Sequence, residues 1–431
     1  MPRPIAFNLV RTVLGAANGV PRGIDRIDFG YLRNLFESWP ADCVGVLPTP
    51  WGTRFFSRER VLRGCEVVAA IWKENDRGGD DPALERLHAA WTSPLASQLP
   101  RRAAKTVLDE IPDYLRALRL FLSGGPRIGR SVDRLSPGAL YLDIGHRGLS
   151  RPAALDWLDR RPDVAPVFMI HDVIPMEFPD LVSPARRATH RTVMDTTAQR
   201  AKAVLTPTAA AAAGIREELA RRGKPDLPVH PVTLPVDDLF LGPVEPDPVI
   251  AARPYFLVCG AVEPRKNHAV LIEAWTRLAA EAGAAVPRLL IVGAADNAIA
   301  GKLRAEVERR GLADHVVFAS GLTSPSIARL MAGARALLMP SLAEGFGLPP
   351  VEAMAVGTPA VVSDIPAHRD SAGDAAIYAA TGDVDAWVEA IGRLAADGPA
   401  REEVVRRVRD RVHVDWRAHM DAVREVLVRV G

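Results

Sequence analysis

Cysteine is scarce in this chain: Cys43, Cys65 and Cys259 are the only three in 431 residues. An odd number of scattered thiols, with no C-x-x-C spacing, gives no disulfide framework and fits a reducing cytoplasm. Net charge is nearly absent as well. Lys and Arg total 54 against 52 Asp and Glu, for +2 overall, so there is no global argument for nucleic acid and no such partner is expected. No run approaches the ~20 apolar residues of a membrane helix. The apolar start of the chain breaks at Arg11, too early for a signal peptide, so the expected setting is the cytoplasm. The motifs H-E-x-x-H, H-x-x-E-H and G-x-S-x-G do not occur. A D-x-D does, Asp383-Val384-Asp385, but it starts a late helix and reads as capping, so no metal is expected.

What is present is an ordinary globular composition, 48% hydrophobic and 25% charged, at a length suited to two or three domains. The most informative stretch is Ser341 to Pro359, S-L-A-E-G-F-G-L-P-P-V-E-A-M-A-V-G-T-P. It lies between two apolar runs, Ala336–Met339 and Ala360–Ser363, that read as buried parallel strands. Pro349 and Pro350 fall where a first helical turn tolerates proline. A strand, a glycine turn and a helix start make an anion site. The amides of Phe346, Gly347 and Leu348 are donors there, and Gly345 and Gly347 allow close approach. Glu344 and Glu352 bracket the turn with seven residues between them. Carboxylates are unsuited to phosphate but accept hydrogen bonds from sugar or ribose hydroxyls. The plainer reading is a dipole-complementing Glu352 and a solvated Glu344.

The pattern E-G-F-G-L-P-P-V-E-A-M-A-x-G-T-P resembles the E-x7-E signature of retaining glycosyltransferases of family 4. The resemblance implies a GT-B fold, an α/β architecture of two Rossmann-like parallel-sheet domains facing a central cleft. It also implies that Glu344 contacts the donor sugar and Glu352 the nucleotide ribose. Gly321-Leu322, after the Val316–Ala319 strand, would lie near the base by the same resemblance.

Along the chain, Ile5–Val10 reads as a first strand, followed by a loop that includes Gly15, Gly19 and Gly23. It lacks G-x-G-x-x-G, so a dinucleotide reading is weak. It resembles the G-I-x-R opening of one branch of the family, which puts Gly19 on the donor side; Arg26 reads equally well as a solvated helix residue. The region from Trp51 to Pro137 is longer than a βαβ unit requires and suggests an insertion or helical pair. Its 101–134 segment carries eight basic and four acidic residues around a helical apolar stripe. That pattern suits either contact with an anionic membrane or a core-packing helix with a charged face.

His146 and His171 follow strand ends, where parallel sheets place ligand chemistry. The run H-D-V-I-P starting at His171 resembles a family segment whose His lies at the donor sugar. His146 stays open between site and structural roles, and Asp172 between orienting His171 and capping the next turn. Residues 1–241 are expected to form the acceptor domain, 242–254, with four prolines, a linker, and 255–410 the nucleotide-sugar domain. The final 411–431 helix would cross back onto the first domain, by resemblance.

In the second domain, Gly260 follows the Tyr255–Cys259 strand and Arg265-Lys266 follow in the loop. Two adjacent cations there suit a departing diphosphate, each charge-assisted bond contributing about 1.5–3 kcal/mol. The family usually has G-R where this chain has Gly260-Ala261, and Arg265 is expected to compensate. The expected chemistry is metal-free, cofactor-free, retaining sugar transfer from a nucleoside-diphosphate sugar. His171, Glu344, Lys266 and Arg265 would be catalytic, and electrostatic stabilisation of the leaving group would drive it. The acceptor would be a saccharide or lipid-linked saccharide in bacterial polysaccharide or glycolipid assembly, with peripheral contact at the inner face of the cell membrane. A sugar-nucleotide epimerase or a non-catalytic binding subunit are the competing readings.

Overall fold

Apolar runs without alternation become parallel strands covered on both faces, and this chain forms two such sheets. The computed structural model describes residues 2–16, 21, 23–49, 52–75, 81–92, 135–293 and 298–430. The chain divides into two units. One comprises Met1–Asn75, Lys105–Pro235 and Val414–Gly431; the other comprises Asp76–Ala104 and Val236–His413.

The first sheet holds β1 (Ile5–Asn8), β2 (Cys43–Thr49), β3 (Gly52–Ser57), β4 (Leu140–Asp143), β5 (Ala165–Met169), β6 (Ala203–Thr206) and β7 (Val229–Pro231). Their spatial order is β3-β2-β1-β4-β5-β6-β7, with only β3 antiparallel to its neighbour. The second sheet holds β8 (Tyr255–Cys259), β9 (Arg288–Val292), β10 (Val316–Ala319), β11 (Leu337–Met339), β12 (Ala360–Ser363) and β13 (Ile377–Ala379). All its pairings are parallel, in the order β10-β9-β8-β11-β12-β13. Each sheet thus starts in the middle and grows outward both ways. The reversal falls between β1 and β4 in one and between β8 and β11 in the other, and ligands of doubly wound sheets bind beside such points, beyond the strands' carboxyl ends.

Each sheet has its own core. Trp157, Phe168 and Ile215 pack in the first, and Phe256, Trp275 and Trp387 in the second. Each fully buried large apolar side chain contributes about 1.5–3 kcal/mol, enough for each sheet to bury an apolar interior of its own.

The division differs from the expected one in two places. Residues 81–92 pack on the second sheet, not within an N-terminal domain running to 241. Asp81 accepts from the Thr323 amide (3.0 Å) and the Ser326 hydroxyl (2.7 Å). The Trp91 ring sits edge-on to Tyr255 at 5.5 Å, and the Arg288 guanidinium lies 4.8 Å from its centroid. Residues 242–254 are not a free linker but part of the second unit. Asp247 is buried there, pairing with His88 (2.9 Å) and Arg329 (3.2 Å) and accepting from the Ile250 amide. The C-terminal tail is two helices, Pro399–Arg409 and Trp416–Arg429. The second packs on the helix Gly23–Ser38: Trp416 lies against Gly30, and Tyr31 meets the Trp416 and His419 rings edge-on. Of the region between Trp51 and Pro137, the described residues show β3 and the helices Arg58–Asn75 and Pro82–Thr92. The basic 101–134 segment lies outside the described residues, as does Gly19.

Candidate active site

In the second unit β8 and β11 are neighbours, paired at Leu257 and Leu337, so the loops that leave them meet at the reversal point. A main-chain bond from the Leu342 amide to the Arg265 carbonyl (2.7 Å) ties those loops together. The β8 loop turns sharply. Gly260 has φ +144°, a value side chains rarely allow. At the end of β9, a Cβ on Gly293 would fall 1.7 Å from the Gly260 carbonyl, so only glycine fits there. Asn267, left-handed at φ +49°, starts the helix His268–Ala282 and donates from Nδ2 to the Thr381 carbonyl at 2.8 Å. Asparagine is among the few residues that take this conformation readily.

These turns bring Lys266 and Arg265 onto Glu344. Lys266 Nζ donates to Glu344 Oε1 at 2.5 Å, and Arg265 Nη1 lies 2.9 Å from Oε2. Arg265 also meets Glu263 through Nε (3.1 Å) and the Ala343 carbonyl through Nη1 (3.3 Å). Glu344 is almost wholly enclosed. Burial alone would raise its carboxyl, but the charges of Lys266 and Arg265 outweigh that and hold it at about 2. Burial pulls the Lys266 ammonium downward while Glu344 opposes the shift. The result is one buried carboxylate shared by two cations, an arrangement an incoming dianion can rearrange.

The turn after β11 delivers Gly347 at φ +84° as the cap of the helix Leu348–Ala355. The cap residue itself supplies no side-chain acceptor, and Pro349 and Pro350 occupy positions where proline costs the helix nothing. Phe346 is buried behind the turn, and Glu352 is buried one turn into the helix. Gly345 precedes Phe346 in the same turn. Gly321 (φ +74°) and buried Leu322 leave the carboxyl end of β10, on the same edge of the sheet but at its outer strand. The sequence reading missed His368. Fully buried after β12, its Nδ1 lies 3.0 Å from the Ser363 carbonyl. A Cβ on Gly347 would come within 3.1–3.2 Å of its ring, and its Nε2 has no hydrogen-bond partner among the described residues. It backs the glycine turn, which its place in the run S-D-I-P-A-H just past a strand end could have signalled.

The first unit holds the other candidates. His171 follows β5 and is buried; its Nε2 lies 3.0 Å from the Ile144 carbonyl, and burial holds it neutral with a pKa of about 4. The His171 amide donates to His146 Nε2 at 3.2 Å. Asp172 caps the next turn, accepting from the Ile174 amide at 3.1 Å. Beside them lies a network the sequence reading did not find. Asn8 Nδ2 donates to Asp143 Oδ2 (2.8 Å) and the Tyr141 hydroxyl (2.8 Å). Arg11 binds Asp25 (2.8 Å) and the Gly145 carbonyl (2.9 Å). Thr12 donates to Asp28 at 2.8 Å. Burial raises Asp28 to about 8 and Asp143 to about 7, the hydrogen bonds and Arg11 opposing it in both cases. Arg26, the cation noted in the sequence, is half-buried on the same helix as Asp25.

Among the described residues, no group of three or more His, Cys, Asp or Glu is arranged to hold a metal ion, and no helix is long and apolar enough to cross a membrane. Asp383 caps the helix Val384–Ala395 through the Ala386 amide, as its spacing suggested.

Residues 247–411 match the family model described as Glycosyl transferases group 1. The O-antigen chain mannosyltransferase RfbU of Salmonella typhimurium is 34% identical over 140 residues, 32% of this chain and 38% of that protein. The MMP alpha-(1->4)-mannosyltransferase of Mycolicibacterium hassiacum is 35% identical over 169 residues, 38% and 39% of the two chains. The chain thus spans about two-fifths of the length of these relatives. Among solved structures, the sucrose-phosphate synthase of Thermosynechococcus elongatus aligns over 100% of both chains with a TM-score of 0.61 at 18% identity. Anabaena HepE in complex with UDP and glucose aligns over 99% of both, with a TM-score of 0.61 at 14% identity. The fold is therefore GT-B, two Rossmann-like α/β units, as the sequence implied.

Proposed function

We propose that this chain is a retaining glycosyltransferase of family 4, moving a sugar from a nucleoside-diphosphate sugar to an acceptor hydroxyl. The observation that carries the reading is the Lys266–Glu344–Arg265 cluster at the reversal point of the second sheet, beside a helix start whose cap supplies no side-chain acceptor. Two cations and the amides of Phe346 to Leu348 suit a diphosphate, whose charge grows as the sugar–phosphate bond breaks. The carboxylate they hold, with Glu352 further along the helix, suits hydroxyls of sugar and ribose. That division of labour belongs to a nucleotide sugar and needs no metal to neutralise the leaving group. Gly260 lets the β8 loop approach the phosphates, and Gly321 and Leu322 flank the base. His171, held neutral by burial, suits a hydrogen-bonding role in the transfer, not a charged one.

The Salmonella relative acts on an O-antigen chain, as its name states. We therefore assign the acceptor as a saccharide or lipid-linked saccharide, met at the cytoplasmic face of the membrane. The test is incubation with GDP-mannose, UDP-glucose, dTDP-glucose and ADP-glucose, with and without lipid-linked saccharide extracts, followed by nucleotide release and by NMR of the product's anomeric proton. Release that requires acceptor and gives an α-linked product from an α-linked donor supports the reading. An isomerised sugar nucleotide formed without acceptor would identify an epimerase instead.

A further inference from the structure

We infer that His146 is a positioning residue whose ring holds His171 in place for the transfer reaction. The main-chain conformation is the first observation. Among the described residues only His146 (φ +62°) and Asn267 combine a side chain with positive φ. Asparagine and histidine enter that region more often than most side chains, but at a conformational cost that glycine would avoid.

The conformation is imposed from below. The Asp143 carboxylate accepts from the amides of both Gly145 and His146, winding the chain tightly at the end of β4. Arg11 Nη1 fixes the Gly145 carbonyl from the other side at 2.9 Å. Neither neighbouring glycine can be replaced without collision. A Cβ on Gly145 would lie 2.4 Å from the Arg11 stem, and one on Gly148 would lie 2.3 Å from Asn8 Nδ2 and Asp143 Oδ2.

The product of this winding is contact with His171 at two points from one turn. His171 Nε2 meets the Ile144 carbonyl at 3.0 Å, and the His171 amide meets His146 Nε2 at 3.2 Å. The rings lie 4.9 Å apart, tilted by 49°. A carbonyl at Nε2 requires the proton of His171 there, which leaves Nδ1 as its lone-pair nitrogen. An amide donating into His146 Nε2 likewise requires that ring's proton on Nδ1. Were the turn's only task to reverse the chain, glycine at 146 would serve it without strain. The imidazole is what a glycine lacks, and the imidazole touches His171.

The variants are His146→Met, which fills the space but accepts no amide hydrogen bond, and His146→Gln, whose Oε1 replaces Nε2 as acceptor. Steady-state rates with GDP-mannose or UDP-glucose, whichever is turned over, rest on the transfer reading. Long-range 1H–15N spectra of histidine-labelled protein do not. His146→Met is expected to lower kcat by about ten-fold or more with the donor KM within about two-fold, because small misplacements of a reacting group cost rate more than binding. The His171 ring signals should move from a single Nε2–H form towards a mixture, and His146→Gln should restore both readouts. An unchanged His171 tautomer in His146→Met would overturn the inference even if no sugar nucleotide is turned over. So would equal losses in the Met and Gln variants. Absence of turnover with the tautomer shift present would instead count against the transfer reading alone.

Discussion

Replacing Glu344 with Gln should weaken the free protein and strengthen its hold on a nucleoside diphosphate. Glu344 lies between Lys266 (2.5 Å) and Arg265 (2.9 Å), and its carboxyl is held at about 2 against an ordinary 4.5. At ~1.4 kcal/mol per pH unit, that difference is about 3 kcal/mol. The folded value is depressed, so the stabilisation is fully present above pH 4.5 and disappears as pH falls towards 2. The burial that pulls Lys266 down works against it, so about 2–3 kcal/mol is the expected loss at pH 7 in Glu344→Gln. For a unit of this size that is roughly 4–12 °C in Tm. The same change removes the one carboxylate that Lys266 and Arg265 share, leaving Arg265 with Glu263, so GDP or UDP should bind about ten-fold or more tightly, one charge-assisted bond's worth. Thermal unfolding from pH 3 to 8 gives the first quantity, and calorimetric titration with each nucleotide the second. A variant as stable as the parent at pH 7, or one that folds but binds both nucleotides more weakly, would refute the reasoning.

Other positions give simpler tests. Gly347→Ala should lose about 1–2 kcal/mol, from positive φ and from the His368 ring 3.1 Å away. It should also weaken nucleotide binding in the same titration. Asp28→Asn probes a carboxyl raised to about 8 by burial. Its folded value lies above the unfolded one, so wild-type stability is lost as pH rises from about 4 to 8. The Asn variant should accordingly gain on the parent by more than about 1 kcal/mol across that window in denaturant melts. Gly30→Ala would place a Cβ 1.9 Å from the Trp416 ring. It should cost about 1–3 kcal/mol and expose the helix Trp416–Arg429 to limited proteolysis. A Gly30→Ala protein as stable and as protease-resistant as the parent would show that this helix does not depend on that contact.

Strands buried on both faces, such as Tyr255–Cys259 and Val316–Ala319, were legible because nothing polar interrupts them. The edge strand Gly52–Ser57 was not, since most of its side chains are partly exposed and its Gly-Thr-Arg start resembles a turn. The helix Pro82–Thr92 shows an apolar stripe of Leu84, Leu87 and Trp91, but a stripe does not say which sheet it covers. Asp81 settles that through partners more than 240 positions away. Residues 242–254 looked like a linker because prolines break periodicity; the buried Asp247 that anchors them is invisible to composition. In the candidate site, the Ser341–Pro359 stretch carried its own geometry in glycines and prolines. His368, Asp143 and Arg11 did not stand out, because their roles arise only where separate loops converge.

The second unit is proposed to hold a diphosphate on Lys266, Arg265 and the amides of Phe346 to Leu348. Thermal unfolding of the whole chain with UDP, GDP, dTDP and ADP, each with and without EDTA, tests it most directly. A nucleotide at a hundredfold excess over its Kd should stabilise the protein by about 2.7 kcal/mol. Such a shift is expected from one of the four, indifferent to EDTA and lost in Lys266→Ala. No shift from any of them, or a shift that survives in a folded Lys266→Ala protein, would contradict it.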